Sequence, residues 1–158
     1  MKTIFAAIGA LAILPTAAAT EVAVTYSDDF AEELSDNYGE REGERLTEDI
    51  IEDLDFAFNK AGVAPARVDV MIVDAKPNRP TFEQLSSKPG LDAFRSISLG
   101  GMELSGTAYD ADGNVLAVQE YDWFENDIRD VVGSATWTDA NRASRRFAKK
   151  LASQLTDS

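Results

Sequence analysis

The chain has 158 residues, with 15 basic against 28 acidic side chains and a net charge of −13. It contains neither cysteine nor histidine. Ser-His triads, cysteine nucleophiles, disulfides and nearly all zinc sites are therefore excluded, and so acidic a chain repels nucleic acid and anionic membranes.

The first nineteen residues read as a signal peptide. Lys2 supplies a positive start, Ile4 to Leu14 is an apolar run too short to span a bilayer, and Pro15 breaks it. Ala17-Ala18-Ala19 then offers the small residues that signal peptidase reads. No cysteine is present to carry a lipid. The expectation is export to the periplasm or medium and a mature chain starting at Thr20, folded as one domain over residues 20–158. With no disulfides available, that domain must hold together by packing.

Glu21 to Tyr26, "EVAVTY", reads as a short strand. Phe30, Leu34 and Tyr38 follow at four-residue spacing and suggest a helical turn. A long amphipathic helix comes next. Leu46, Ile50, Leu54, Ala57, Phe58 and Ala61 form one stripe, while Glu44, Glu48, Glu52 and Asp55 form the opposite face. Gly62 stands where a left-handed C-cap belongs. Half of all acidic residues lie between Glu21 and Asp55. Arg67 to Asp74, "RVDVMIVD", alternates with Val68, Val70 and Ile72 on one face, so it is a second strand.

The segment from Lys76 to Gly101 holds three prolines and separates two strand-like runs. Thr81 and Gln84 form a capping box, which predicts a short helix, with Pro80 and Leu85 placed to form a staple. Lys88-Pro89-Gly90 reads as a turn. A connection built this way is an ordered excursion, either capping the open end of the sheet or serving as a recognition surface.

The strongest hairpin signal follows. Asp110-Ala111-Asp112-Gly113 fits a tight turn with Gly113 left-handed, and pairing Asp110 with Asn114 sets Ala108 opposite Leu116 and Gly106 opposite Val118. That register puts Leu104, Ala108, Leu116 and Val118 on one face. Apolar residues switch parity across Gly100-Gly101, from Ile97 and Leu99 to Met102 and Leu104, which predicts a β-bulge or a break there. The last helix runs from about Thr138 to Leu155, with Thr138 or Thr136 as N-cap. Ala140, Ala143, Phe147, Leu151 and Leu155 form its buried stripe, and Arg142, Arg145, Arg146, Lys149 and Lys150 make it basic. Dipole complementarity and attraction to the acidic first helix account for those charges more simply than a membrane surface does.

The expected fold is α+β: a four-stranded mixed sheet with its hairpin in the C-terminal half, two main helices on one face, and a short helix in the long loop. "DADGN" does not complete a calcium loop, because Val115 and Tyr121 stand where glycine and glutamate are required. Gly100-Gly101 has no following helix pattern to cradle a phosphate. No metal, cofactor or catalytic residue is assigned. The candidate binding residues are Asn78, Arg79, Phe82, Arg95, Trp123 and Phe124. Asn78 and Arg79 lie between prolines, and the two aromatics end the hairpin's return strand. Gly62, Thr81, Gln84, Gly100, Gly101 and Gly113 are assigned structural roles.

"PNRPTFEQL", "PGLD", "SISLGG", "YDADGNVL" and "WTDANRASRRFAKKL" together resemble an uncharacterised family of small exported bacterial proteins. The element order is also similar to small envelope domains such as the TolB N-terminal domain, a fold-level likeness without the lipid-bearing cysteine of lipoprotein relatives. No function comes with the resemblance; the reading adopted for the chain is a non-enzymatic binding or accessory domain with an envelope protein as partner and no stable membrane insertion. The alternative reading is a carboxylate-based hydrolase acting on envelope glycans.

Overall fold

The computed structural model describes residues 19–157. The signal-peptide reading falls almost wholly outside them.

Strand β1 (Glu21–Tyr26) turns its even residues, Val22, Val24 and Tyr26, towards the core. Ser27 then caps a short helix, α1 (Asp28–Glu33): its hydroxyl oxygen accepts from the Phe30 N–H at 3.1 Å and its O–H donates to the Val73 carbonyl at 2.7 Å. The chain continues through a π-helical turn (Leu34–Tyr38). Phe30, Leu34 and Tyr38 are all buried, as their spacing predicts. Helix α2 (Glu40–Ala61) buries Leu46, Ile50, Leu54 and Phe58. It ends at Gly62 with φ 71°, where the Gly62 and Val63 N–H groups donate to the Asn59 and Phe58 carbonyls. These two bonds satisfy carbonyls that the helix leaves open, and the left-handed residue closing them is the predicted glycine.

Strand β2 (Arg67–Lys76) pairs in parallel with β1, and the crossover between them is the α1–α2 segment. The capping box appears as predicted. The Gln84 N–H donates to the Thr81 hydroxyl and the Thr81 N–H to Gln84 Oε1, opening the short helix α3 (Phe82–Ser87). Strands β3 (Gly101–Tyr109) and β4 (Val115–Phe124) complete an antiparallel run, so the sheet order is β1-β2-β3-β4. A 3-10 turn (Ile128–Val131) leads to helix α4 (Thr138–Thr156). Helices α2 and α4 pack together, and α4 lies against β3 and β4. The core takes Val68, Val70 and Ile72 from β2, Met102, Leu104 and Ala108 from β3, and Ala140, Ala143, Phe147 and Leu151 from α4. The outward face of the sheet carries Thr25, Asp69, Met71, Thr107 and Val118. The architecture is the expected α+β one.

One expectation about register is corrected, and the interruption expected at Gly100-Gly101 is found as a break. The hairpin turn forms as predicted, with the Asp110 N–H donating to the Asn114 carbonyl at 3.0 Å. Leu116 is then an extra residue: Tyr109 pairs with Val115 but Ala108 pairs with Ala117, so Gly106 meets Gln119 and Leu104 meets Tyr121. The bulge turns Leu116 and Val118 outward and gives the helix side to Ala117, Tyr121 and Trp123. Aromatic rings that α4 can cover displace two aliphatic side chains from that side. A second bulge sits at Val73 in β2, between Ile72 and Asp74. At Gly100-Gly101 the finding is a break: β3 begins at Gly101, and residues 97–99 lie outside the ladder. Both glycines serve close approach. A Cβ on Gly100 would lie 2.7 Å from the Asn78 amide, and one on Gly101 would lie 2.3 Å from the Trp123 carbonyl oxygen.

This contact distinguishes two kinds of glycine. Gly101→Ala drives a methyl into backbone and is expected to cost about 2 kcal/mol or more. Gly62→Ala meets open space and pays only for its left-handed conformation, about 1 kcal/mol. Urea unfolding of both variants measures the difference, and equal costs would contradict the packing account.

Candidate functional site

The long connection between β2 and β3 is anchored by a buried polar contact. Asn78 is fully buried. Its side-chain NH2 donates to Asp139 Oδ2 at 2.5 Å and to the Ser98 carbonyl at 3.3 Å, and its Oδ1 accepts from the Asp139 N–H at 2.9 Å. Its backbone N–H donates to the Thr136 carbonyl at 2.7 Å. Asn78 therefore satisfies an open N–H in the first turn of α4 from a distant part of the chain. The sequence places the N-cap of α4 at Thr138 or Thr136. The cap residue is instead Trp137, without a side-chain cap bond, and the Thr138 hydroxyl is used by the Ala135 N–H. Arg142 reaches Asp139 Oδ1 at 3.0 Å, so the buried carboxylate is held by an amide on one side and a guanidinium on the other.

Arg79 also points into the fold. Its Nε donates to the Ser134 carbonyl and its Nη1 to the Phe94 carbonyl at 2.6 Å. It joins the long loop to the segment before α4 through carbonyl oxygens. Further along, Asp92 organises a tight turn by accepting the Phe94 and Arg95 N–H groups, both at 2.8 Å. Those two bonds hold its carboxyl below the usual carboxylate range. The Arg95 side chain is exposed there. Lys88 and Gln84 both donate to Asn37 Oδ1, which ties α3 to the π-helical turn.

These ties shape a groove of about 310 Å³. Tyr38, Lys76, Gln84, Leu91, Ile97 and Leu99 are among the residues that line it. The loop also exposes two phenylalanines, Phe82 at 81% and Phe94 at 86%. Phe94, Leu91 and Leu99 are absent from the sequence-based candidates: Leu91 and Phe94 sit in a segment without periodicity, and Leu99 is read there only as one side of the parity switch at Gly100-Gly101.

The six candidate residues divide. Asn78 belongs to the interior framework, which removes its side chain from any surface. Arg79 lines the groove while bound to carbonyls, and Phe82 and Arg95 are presented to solvent. Trp123 and Phe124, adjacent in sequence, serve opposite sides of β4. Arg146 of α4 stacks on the Trp123 ring at 4.6 Å, whereas the Lys76 ammonium lies 5.2 Å from the Phe124 ring centre. Phe124 is thus linked to the groove through Lys76, and Trp123 is covered by α4.

Beside the groove is an acidic hollow of about 420 Å³, where Asp29, Glu33, Asp74 and Glu103 surround Lys76 and Tyr38. Among the described residues, no group of three or more acidic side chains is placed to hold a metal ion. Burial pushes the Tyr38 hydroxyl up to about 12, and Glu33 and Asp74 add to the shift because a phenolate would face their charges. Trp137 packs edge-on against Tyr38 at 5.8 Å and donates its indole N–H to Glu42 at 2.6 Å.

The fold and groove define a small α+β domain with an internally braced loop. Neither a protein-family model nor a curated protein matches the chain. Among solved structures, the crystal structure of a minor lipoprotein from Acinetobacter baumannii is similar at a TM-score of 0.30 and 13% identity, over 87% of this chain and 89% of that one. Likeness at that level says nothing about what this chain does. No helix among the described residues is long and apolar enough to cross a membrane.

Asn78→Ala leaves the Asp139 carboxylate short of a partner in a buried site and is expected to cost about 2–3 kcal/mol. Arg79→Ala loses bonds to carbonyls near the surface. It should cost about 1–2 kcal/mol, less than Asn78→Ala, while speeding proteolysis within residues 88–99. Thermal unfolding and limited proteolysis together check the pair, and the reverse pattern would contradict the assigned roles.

The sign for Tyr38 follows from its raised value. The folded state keeps the proton above the unfolded value of 10.0, so its contribution to stability is intact below pH 10 and is lost as pH rises towards about 12. Ultraviolet difference titration should show one late tyrosine step, absent in Tyr38→Phe.

Proposed function

We propose that this is an exported, non-enzymatic binding domain of the cell envelope, periplasmic or secreted, and that the long loop is its recognition surface. The carrying observation is the pairing of exposed aromatic side chains with an immobilised backbone. Phe82 and Phe94 stand in solvent on a connection pinned by Asn78, Arg79 and Asp92. An apolar residue held that way costs little conformational entropy when a partner covers it. The groove between Tyr38 and Leu99 provides an adjacent recess, with Lys76 and Arg79 at its edge to meet a carboxylate or carbonyl group. A partner protein that inserts an apolar side chain beside an acidic one suits this surface.

Export rests on the leader pattern of residues 1–19. The hydrolase alternative is not favoured: the groove has no carboxylate in its lining. That reading would have to use the neighbouring acidic hollow.

The test uses mature protein beginning at Thr20, immobilised and exposed to an envelope extract, beside a Phe82→Ser, Phe94→Ser double variant. Both replaced rings are exposed, so the variant should melt at the parent temperature. Capture of a discrete protein by the parent and at least a tenfold loss by the variant is the expected result. Equal capture by both would overturn the assignment of the loop, and an exported fraction still starting at Met1 would overturn the leader reading.

A further inference from the structure

A second groove, of about 480 Å³, lies between α2 and α4, near the C-terminal ends of both helices. Its volume is within the range of about 300–1,000 Å³ usual for small-molecule sites. The lining has two parts. Ala57, Ala61 and Ala152 leave open space where larger side chains would fill it, and Phe56, 68% exposed, supplies an aromatic wall. Lys60, Arg145 and Lys149 place three cations along the same groove.

Those cations are unusual in their surroundings. The chain has 28 acidic residues, yet among the described residues none of the three forms an ion pair. Lys60 lies 6.0 Å from the centre of the Phe56 ring. The other basic residues of α4 are engaged elsewhere. Arg142 binds Asp139, while Arg146 and Lys150 lie over Trp123 and Tyr121. Arg145 and Lys149, one helical turn apart, are the pair turned towards α2. The acid in the groove, Asp53, is partly withdrawn from water. Burial raises its carboxyl above the usual range, while Ser144 and Arg145 pull it down, although the Ser144 hydroxyl falls short of hydrogen-bond geometry. Asp49 and Glu52 add like charge beside Asp53 from outside the lining, whereas in the lining itself three cations face one acid. Lys60 sits in the last turn of α2, where it complements the helix dipole. Arg145 and Lys149 are several residues before the end of α4, beyond the reach of that explanation.

We propose that this groove binds a single-chain fatty acid, with the alkyl chain along Phe56 and the alanine floor and the carboxylate held by Arg145 and Lys149. An apolar channel alone would suit any alkyl chain. The unpaired cations select an anionic head, and the planar guanidinium fork of Arg145 suits a carboxylate. The site is separate from the long loop, so either can fail without the other.

The probe is sodium dodecanoate, kept below its micelle concentration and titrated into the mature protein by calorimetry. Saturable one-to-one binding is expected. Arg145→Gln with Lys149→Gln should weaken it at least tenfold, about 1.4 kcal/mol, and Phe56→Ser should weaken it too. All three side chains are exposed, so the variants should keep the parent circular dichroism and melting temperature. Amide shifts should concentrate at residues 53–61 and 145–156 and leave residues 88–99 unmoved. Absence of saturable heat would overturn the proposal, as would equal affinity for dodecyltrimethylammonium or an undiminished affinity in the double glutamine variant. Heat seen only with phosphatidylglycerol vesicles would mean membrane contact in place of a ligand site, and would overturn it as well.

Discussion

The buried contact between Asn78 and Asp139 joins residues 61 positions apart and makes two remote segments depend on each other. Helix α4 starts with no side-chain cap of its own. The loop after β2 has several residues with no ladder to join. Each supplies what the other lacks, since the amide satisfies the helix N–H and carboxylate while the helix fixes the loop's first turn. The cost of an unmatched buried carboxylate makes this arrangement all-or-none. Everything built on the loop inherits its position from that contact. Gly100 must lack a side chain because Asn78 occupies the space. Gly101 must lack one because β4 passes directly beside it. The groove lined by Tyr38, Leu91 and Leu99 lies on the loop that this contact holds in place.

The basic residues of α4 make sense only once divided by helix face. Arg142, Arg146 and Lys150 follow one ridge at four-residue spacing, above the alternate residues of β4. Arg146 covers Trp123 and Lys150 lies 5.8 Å from the centre of Tyr121. Such contacts contribute about 0.5–1 kcal/mol each at exposed sites. Their larger effect here is to close the helix side of an edge strand with long, partly apolar stems. Arg145 and Lys149 occupy the next ridge and meet α2. Attraction between a basic and an acidic helix, the sequence-level account, acts at Asp53 of α2, whose carboxyl Arg145 pulls down, and it acts there without a close ion pair. No ion pair between α2 and α4 is formed among the described residues.

Local chemistry was legible in the sequence and long-range pairing was not. The Gly62 cap, the Thr81–Gln84 box and the turn at Gly113 each involve a few neighbouring residues whose types determine the geometry. The α2 stripe and the alternation of β2 are likewise readable from period alone. The hairpin register failed at one residue, Leu116. Its bulge depends on α4 covering Tyr121 and Trp123, and no local pattern announces it. The parity switch at Gly100-Gly101 was a real signal, but its cause was the end of a strand. Asn78 illustrates the limit most clearly. Its place between lysine-proline and arginine-proline suggested a presented side chain, whereas the same rigid backbone aims it inward at a partner that only the fold supplies.

Helix α4 also separates the two grooves. Its first turn, at Asp139, belongs to the loop framework, and residues from Arg145 to Thr156 line the groove with α2. At 1.5 Å per residue the near end of the groove lies about 9 Å along the axis from Asp139 and its far end about 25 Å. The helix between them is pinned by a buried row of alanines, Phe147 and Leu151. A rigid, well-packed element of this kind offers no second arrangement through which occupancy at one end could bias the other. The two proposed surfaces would therefore act independently on one scaffold, with exposed rings on a braced loop at one end and cations over alanines at the other. Aromatic contact and charge attraction respond differently to salt, because screening reaches exposed charges and leaves apolar burial largely intact. Raised ionic strength should therefore weaken an anion between α2 and α4 while sparing a partner held by Phe82 and Phe94.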